Sequence, residues 1–426
     1  MYGEYSRCHV SIGKKKEGSS MSGKTQSQIF ITVLAALVFF GALLFGLDGG
    51  RSWAAPATGP IKIGFMAPYV GVYAKPGKDM DNGFKLYLEE IKHQVAGRKI
   101  QVITEDTEAK PEIGPIKARK LVEKDKVNLL AGIIHSGVAY SIRDYVDANK
   151  IPLVLTNAGA ARLTAQDRSP YIFRVSFVNG QQDLAGGWYA YEKAGIRKVI
   201  ILAPDYSAGH EKADGFLKTF KAAGGQVVAE IYPPLSTQDY APFLAQVTSK
   251  LGSVDAVWAF FAGSDSIRFI KQYEEYGLKD KVKLFVIGDT VDDSFLPSMG
   301  DAALGVVNYL HYATTLDTPE NKKFVAAYRK KYNEDPSLFS EQGYVGARVI
   351  VDAIKAVKGN VEDKEKFLEA LRQVKFEAPR GPFRFDKFQN VIETVYIRKV
   401  DKIGGKLQNV VTDKIPDVDQ FWTPKK

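Results

Sequence analysis

Cysteine is almost missing from this chain. The single Cys8 precedes a long apolar run, and none of the residues after that run carries a thiol. A disulfide framework, a thiolate metal site and a cysteine nucleophile are therefore excluded for the body of the protein. Histidine is scarce as well: the five are scattered, and His210 stands in HEKAD rather than in H-E-x-x-H, so the zinc-protease template is absent. No G-x-S-x-G occurs, and no G-x-G-x-x-G follows the first apolar strand, which removes the hydrolase elbow and the dinucleotide fingerprint. An excess of one charge is lacking too. The net +9 comes from 58 basic and 49 acidic residues that alternate, as in EEIKHQ and RKLVEKDK, in the manner of solvated helix faces. No basic stripe suited to nucleic acid is present, and no nucleic-acid partner is expected.

The first sixty residues are of another kind. Gly18–Thr25 reads GSSMSGKT and fits the phosphate-loop template, but a phosphate loop needs an apolar strand before it and a helix after it. Polar EYSRCHVSIGKKKEG precedes it, and the uncharged run Ile29–Leu47 follows. That context fits a secretory leader. Lys14, Lys15, Lys16 and Lys24 supply the positive start, and small residues near Ser52–Ala57 supply the exit. Cleavage after Ala54 defines a leader of residues 1–54, with cleavage after Ala57 as the second choice. Met21, just before the lysine, is an alternative start that would split the GSSMSGKT pattern. About nineteen apolar residues would also span a bilayer, so retention as a membrane anchor is the competing reading.

From Ile61 onward, short apolar runs alternate with amphipathic stretches. Strand candidates are 61–68, 99–106, 128–134, 152–158, 198–205, 226–232, 255–261, 283–289 and 306–312. These runs are continuously apolar, as parallel strands covered on both faces require. Phe84, Leu88, Ile91 and Val95 share one helical face by spacing, as do Tyr344, Ala347, Val351 and Ile354. The alternation predicts an α/β fold of doubly wound parallel sheets. GPFRFD, ETVYIRKVD and KLQNVVT near the end predict an antiparallel tail. No repeat, low-complexity tract or Pro/Gly linker divides this region.

In order and spacing, four segments carry a resemblance: IKIGFMAPYVGVYAKPGKDMDNGFKLYLEEI, IIHSGVAYSIRDYVDANKIPLVLTNAGAARLT, ILAPDYSAGHEKADGFLKTFKAAGG and GPFRFDKFQN. Across about 61–400 the chain resembles type I periplasmic solute-binding proteins, in the leucine/isoleucine/valine-binding family that serves ATP-binding-cassette importers. The resemblance implies two α/β lobes joined by three crossovers, near Phe177–Gly180, His311–Thr315 and Phe383–Val391. Lobe 1 would comprise 60–177 plus 315–383, and lobe 2 178–314 plus 384–420. It also implies a monomer that takes no cofactor, binds a small solute and docks on a membrane permease.

Ligands of open α/β sheets bind beyond the carboxyl ends of the strands. There Ser136 is expected to cap the following helix, whose free N–H groups suit a carboxylate, and the family pattern places a ligand-binding serine here. His135 beside it is read as cleft lining or core. Ala158, Gly159 and Ala160 leave the backbone open to a ligand, with Gly159 near a threonine that the family often carries and this chain lacks. Tyr206 is a candidate lid. Of Phe260 and Phe261 only one can face the cleft, since they alternate; Phe261 is the candidate, beside Ala262 and Gly263. Tyr73 and Tyr69 are further aromatic candidates, and Pro76 stands where relatives place a stacking aromatic. Asp289 falls where amino-acid-binding members keep an acid for the ammonium. Amino acids and aromatic carboxylates both fit. A membrane-anchored sensor of the same fold and an exported α/β enzyme are the competing functions.

Overall fold

A computed structural model describes residues 59–424. The leader, its cleavage site and the GSSMSGKT stretch lie outside the described residues. Among those described, no helix is long and apolar enough to cross a membrane.

Two sheets form the frame. The first is built from β1 (Ile61–Ala67), β2 (Gln94–Val95), β3 (Arg98–Asp106), β4 (Leu129–Gly132), β5 (Leu153–Leu155) and β6 (Ile172–Arg174). Its order is β2-β3-β1-β4-β5-β6, parallel except where β2 folds back on β3. The second contains β7 (Lys198–Leu202), β8 (Gln226–Ile231), β9 (Ala256–Ala259), β10 (Lys283–Ile287) and β11 (Val307–Leu310). These five pair in parallel in the order β8-β7-β9-β10-β11. β12 (Lys375–Ala378), β13 (Gly381–Phe385), β14 (Val391–Ile403) and β15 (Lys406–Val418) complete it antiparallel, through β14 on β11. All nine strand candidates form strands, and the tail is antiparallel as predicted.

Helices cover both sheets. On the first lobe these are α1 (Ala74–Glu90), α2 (Gly114–Arg119) and α3 (Ser136–Asn149), with α4 (Gln181–Glu192), α5 (Ser207–Ala222), α6 (Ala241–Thr248), α7 (Ser264–Glu275) and α8 (Leu296–Met299) on the second. The chain then returns as α9 (Pro319–Tyr332), α10 (Leu338–Ala356) and α11 (Lys364–Arg372). Tyr344, Ala347, Val351 and Ile354 are all buried on α10. Phe84 and Leu88 are buried on α1, but Ile91 and Val95 do not continue that helix. Lys92 and His93 turn to positive φ and Val95 enters β2. The helical spacing ran across a turn that the apolar pattern alone could not reveal. At the crossing of α1 and α10 the backbones nearly touch: a Cβ on Gly83 would lie 1.8 Å from the Ser340 carbonyl oxygen, and one on Gly343 2.0 Å from that of Met80.

Three stretches link the lobes: the one before α4, the one after β11, and the β13–β14 region, where the antiparallel tail joins the second sheet. One buried residue beside each passage joins a shared polar cluster. Gln182 Nε2 lies 2.7 Å from His311 Nδ1 and donates to Glu393 Oε1 at 3.0 Å. Gln342 Nε2 reaches the other ring nitrogen of His311 at 3.3 Å, and Arg380 pairs with Glu341 alongside. The three tryptophans among the described residues all belong to the second lobe: Trp258 on β9 donates to Tyr309, and Trp188 on α4 meets Trp422 edge to face.

Candidate functional site

Both lobes have the same doubly wound order, which reverses between β1 and β4 in one and between β7 and β9 in the other. A crevice opens beyond the carboxyl ends of the strands at such a reversal. The two crevices face each other. Tyr73 follows β1, Ser136 follows β4, Tyr206 follows β7 and Phe260 follows β9, and all four line one cavity between the lobes with Lys212 and Asp289. The lobes stand nearly closed on one another here, leaving a cavity of only about 20 Å³. Its mouth is narrowed by the Tyr73 hydroxyl, which donates to Tyr206 Oη at 2.9 Å across the gap. Burial raises both phenol pKa values, so each keeps its proton. A wider depression lies at the amino ends of β10 and β11, lined by Lys283 and Val307, the wrong end of the sheet for this fold's ligands.

The N-cap of α3 is His135, not Ser136: its Nδ1 accepts from the Gly137 N–H at 3.1 Å. Ser136 is the first helical residue, so its hydroxyl is released from capping. Its Oγ accepts from Asn179 Nδ2 at 3.0 Å, leaving the hydroxyl proton free to donate into the cavity. Burial pushes the His135 pKa down to about 4, so the ring is neutral. It stacks behind Tyr206 with ring centres 5.1 Å apart, which makes it a support and not a lining group.

Of Ala158, Gly159 and Ala160, only Gly159 lines the cavity. The carbonyls of Ala158 and Ala160 accept from the buried guanidinium of Arg174 at 3.1 and 2.7 Å, and both side chains sit in the core of the first lobe. Their carbonyls are taken up by Arg174, which counts against the expectation that their backbone stands open to a ligand. A Cβ on Gly159 would meet Asn179 Oδ1 at 2.1 Å; the missing side chain lets Asn179 reach Ser136.

The choice between the phenylalanines is reversed. Phe261 stacks on Phe269 at 4.4 Å and meets Tyr240 edge to face, deep in the second lobe. Phe260 turns into the cavity. Tyr69 and Pro76 are not among the lining residues.

Asp289 lies in a 3-10 turn at the end of β10 and is buried. Facing it is Lys212, a group the sequence reading missed. The Nζ atom of Lys212 and Oδ2 of Asp289 stand 3.8 Å apart, with side chains only 2 and 5 % exposed. Neither atom has a hydrogen-bond partner. The Lys212 ammonium lies 4.3 Å from the Phe177 ring centre and 5.0 Å from that of Phe260, within cation–π range of both. A signal was present: Ala208, Lys212, Phe216 and Phe220 recur every four residues on α5, so Lys212 interrupts an apolar stripe. Asn179 and Asn157, also lining the cavity, carried no such sign.

Comparisons with known proteins agree with this fold. The family model described as periplasmic binding protein matches residues 60–406. A Leu/Ile/Val-binding protein homolog 6 of Brucella melitensis is 33% identical over 348 residues, covering 80% of this chain and 88% of its own. An ABC transporter substrate-binding protein from Sphaerobacter thermophilus has a similar structure, with TM-score 0.80 and 41% identity over 84% of this chain and 99% of that one. A solute-binding protein of an ABC transporter from Rhodopseudomonas palustris, solved in complex with 3,4-dihydroxybenzoic acid, has TM-score 0.81 and 36% identity over 85% of this chain and 99% of that one. The chain belongs to the periplasmic binding protein family, in its type I, leucine/isoleucine/valine-binding branch.

Proposed function

We propose that this protein is the solute-binding component of an ABC importer and that its solute is an aromatic carboxylate. The carrying observation is the presence, in one interlobar cavity, of a serine hydroxyl at a helix N-terminus and, opposite it, phenylalanine rings around a buried lysine that stands 3.8 Å from Asp289 and has no hydrogen-bond partner. Ser136 and the first turn of α3 supply donors and the positive end of the helix dipole to the carboxylate. Phe177, Phe260 and Tyr206 supply flat apolar walls. The dihydroxybenzoic acid bound by the Rhodopseudomonas palustris relative supports the same class.

The second reading, an amino acid, draws on Asp289, whose unpartnered oxygen would accept an ammonium. Lys212 opposes it. A second ammonium beside the first would suffer like-charge repulsion in a poorly solvated site.

Capture makes and breaks no bond. Solute meets the Ser136 lobe, the Tyr206 lobe closes on it by a hinge motion, and the closed form docks on the permease. The family implies the periplasm. In this reading the chain arrives there as a monomer freed of residues 1–54, which the intact mass of the exported protein reads.

Thermal-shift and calorimetric titration against benzoates, phenylpropenoates, leucine and aliphatic acids test the ligand class. A true ligand at a hundred times its Kd stabilises by about 2.7 kcal/mol, so the melting temperature rises by several degrees with a benzoate and stays put with leucine. A response to leucine and none to any aromatic acid would reject the aromatic class. Turnover of an ester, phosphate or glycoside would favour the enzyme class.

A further inference from the structure

We infer that Lys212 and Asp289 together read a hydroxyl group on the aromatic ring of the solute, remote from its carboxylate. The inference rests on the aromatic-carboxylate reading and adds what the second lobe recognises. Two buried polar atoms lining the same cavity, Lys212 Nζ and Asp289 Oδ2, lack hydrogen-bond partners. At 3.8 Å they are too far apart to satisfy each other. The rings of Phe177 and Phe260 flank the ammonium, favouring its position short of Asp289.

The chemistry of the two groups is complementary and incomplete. An ammonium only donates and a carboxylate only accepts. A hydroxyl does both, so one phenolic oxygen in the gap can accept from Lys212 and donate to Asp289. A bare ring edge in that place would shield both groups from water while partnering neither, which is costly for charged groups. The carboxylate of the same solute is already provided for on the opposite lobe by Ser136 and the N-terminal turn of α3. A hydroxyl at the 3- or 4-position points away from the carboxylate, whereas one at the 2-position is adjacent to it.

Isothermal titration of the exported protein with benzoate and its 2-, 3- and 4-hydroxy derivatives tests this. The 3- or 4-hydroxy acid is expected to bind at least about tenfold tighter than benzoate, as for hydrogen bonds to charged groups, and the 2-hydroxy acid no tighter. The double variant Lys212→Met/Asp289→Leu removes both charges together and strands neither. It is expected to lose the hydroxyl preference, so that benzoate and its 3- and 4-hydroxy derivatives bind alike, with circular dichroism confirming its fold. Equal binding of benzoate and both remote hydroxy acids by the wild-type protein would overturn the inference and leave the aromatic reading standing. Loss of all four acids from a folded double variant would place the carboxylate on Lys212 and also overturn it. Binding of leucine with none of the four acids would remove both readings at once.

Discussion

Ser136 shows how much one residue's position decides. Because His135 takes the capping role, the serine hydroxyl is free to donate, and Asn179 fixes its orientation from the side. Ser136→Ala is expected to weaken solute binding by about 1 kcal/mol or more, the worth of a hydrogen bond to a charged group, and to leave the fold intact because Asn179 keeps Glu211 at 2.8 Å. Calorimetric titration reads this, and an unchanged affinity would take Ser136 out of the site. Ser136 was legible because a polar residue that ends an apolar run and opens a helix marks the carboxyl edge of a sheet. Phe260 was not. Strand alternation restricts the choice to one of two neighbours, but the chain leaves β9 at Ala259, and past a strand end the facing is set by the turn. Lys212 was overlooked because lysine is read by default as solvated, although its place in the stripe of α5 argued otherwise.

Among the elements, the crossing of α1 with α10 is the tightest test of the packing. Carbonyl oxygens occupy the space where side chains of Gly83 and Gly343 would begin, so neither neighbour can yield by a rotamer change. Gly343→Ala is predicted to cost about 1–3 kcal/mol, the usual penalty of overpacking, read as a lower midpoint in urea denaturation; an unaltered midpoint would mean that the helices separate without penalty. The nine strand candidates were legible because parallel strands covered on both faces are continuous apolar runs. β6 was not, since it ends in Arg174, a charge that breaks the apolar run. Arg174 is instead fully buried, and it also reaches Thr164 and Asn390. A buried cation with enough acceptors around it is invisible in a hydropathy pattern.

At the level of the whole molecule, the cluster where the three passages meet gives stability a pH dependence. Burial raises Glu393 from its ordinary carboxyl value to about 8, so the folded chain holds a proton there that the unfolded chain releases above about pH 4.5. Its contribution is fully present below that value and is lost as pH rises through 8. His311 has the opposite sign: burial lowers its pKa well below 6.5, so stability is lost as pH falls and the unfolded chain takes up the proton. Glu393→Gln keeps an acceptor for Gln182 and has nothing to ionise. The melting temperature of the variant should therefore gain on that of the wild type between pH 5 and 8, and parallel curves would count against a protonated Glu393. A different consequence follows from where the tryptophans lie. Trp188, Trp258 and Trp422 all belong to the second lobe, so indole emission from the described part of the chain is an optical reporter of that half alone. A change in its colour or intensity on titration is a signal from one jaw, and watching the other requires an indole introduced by mutation.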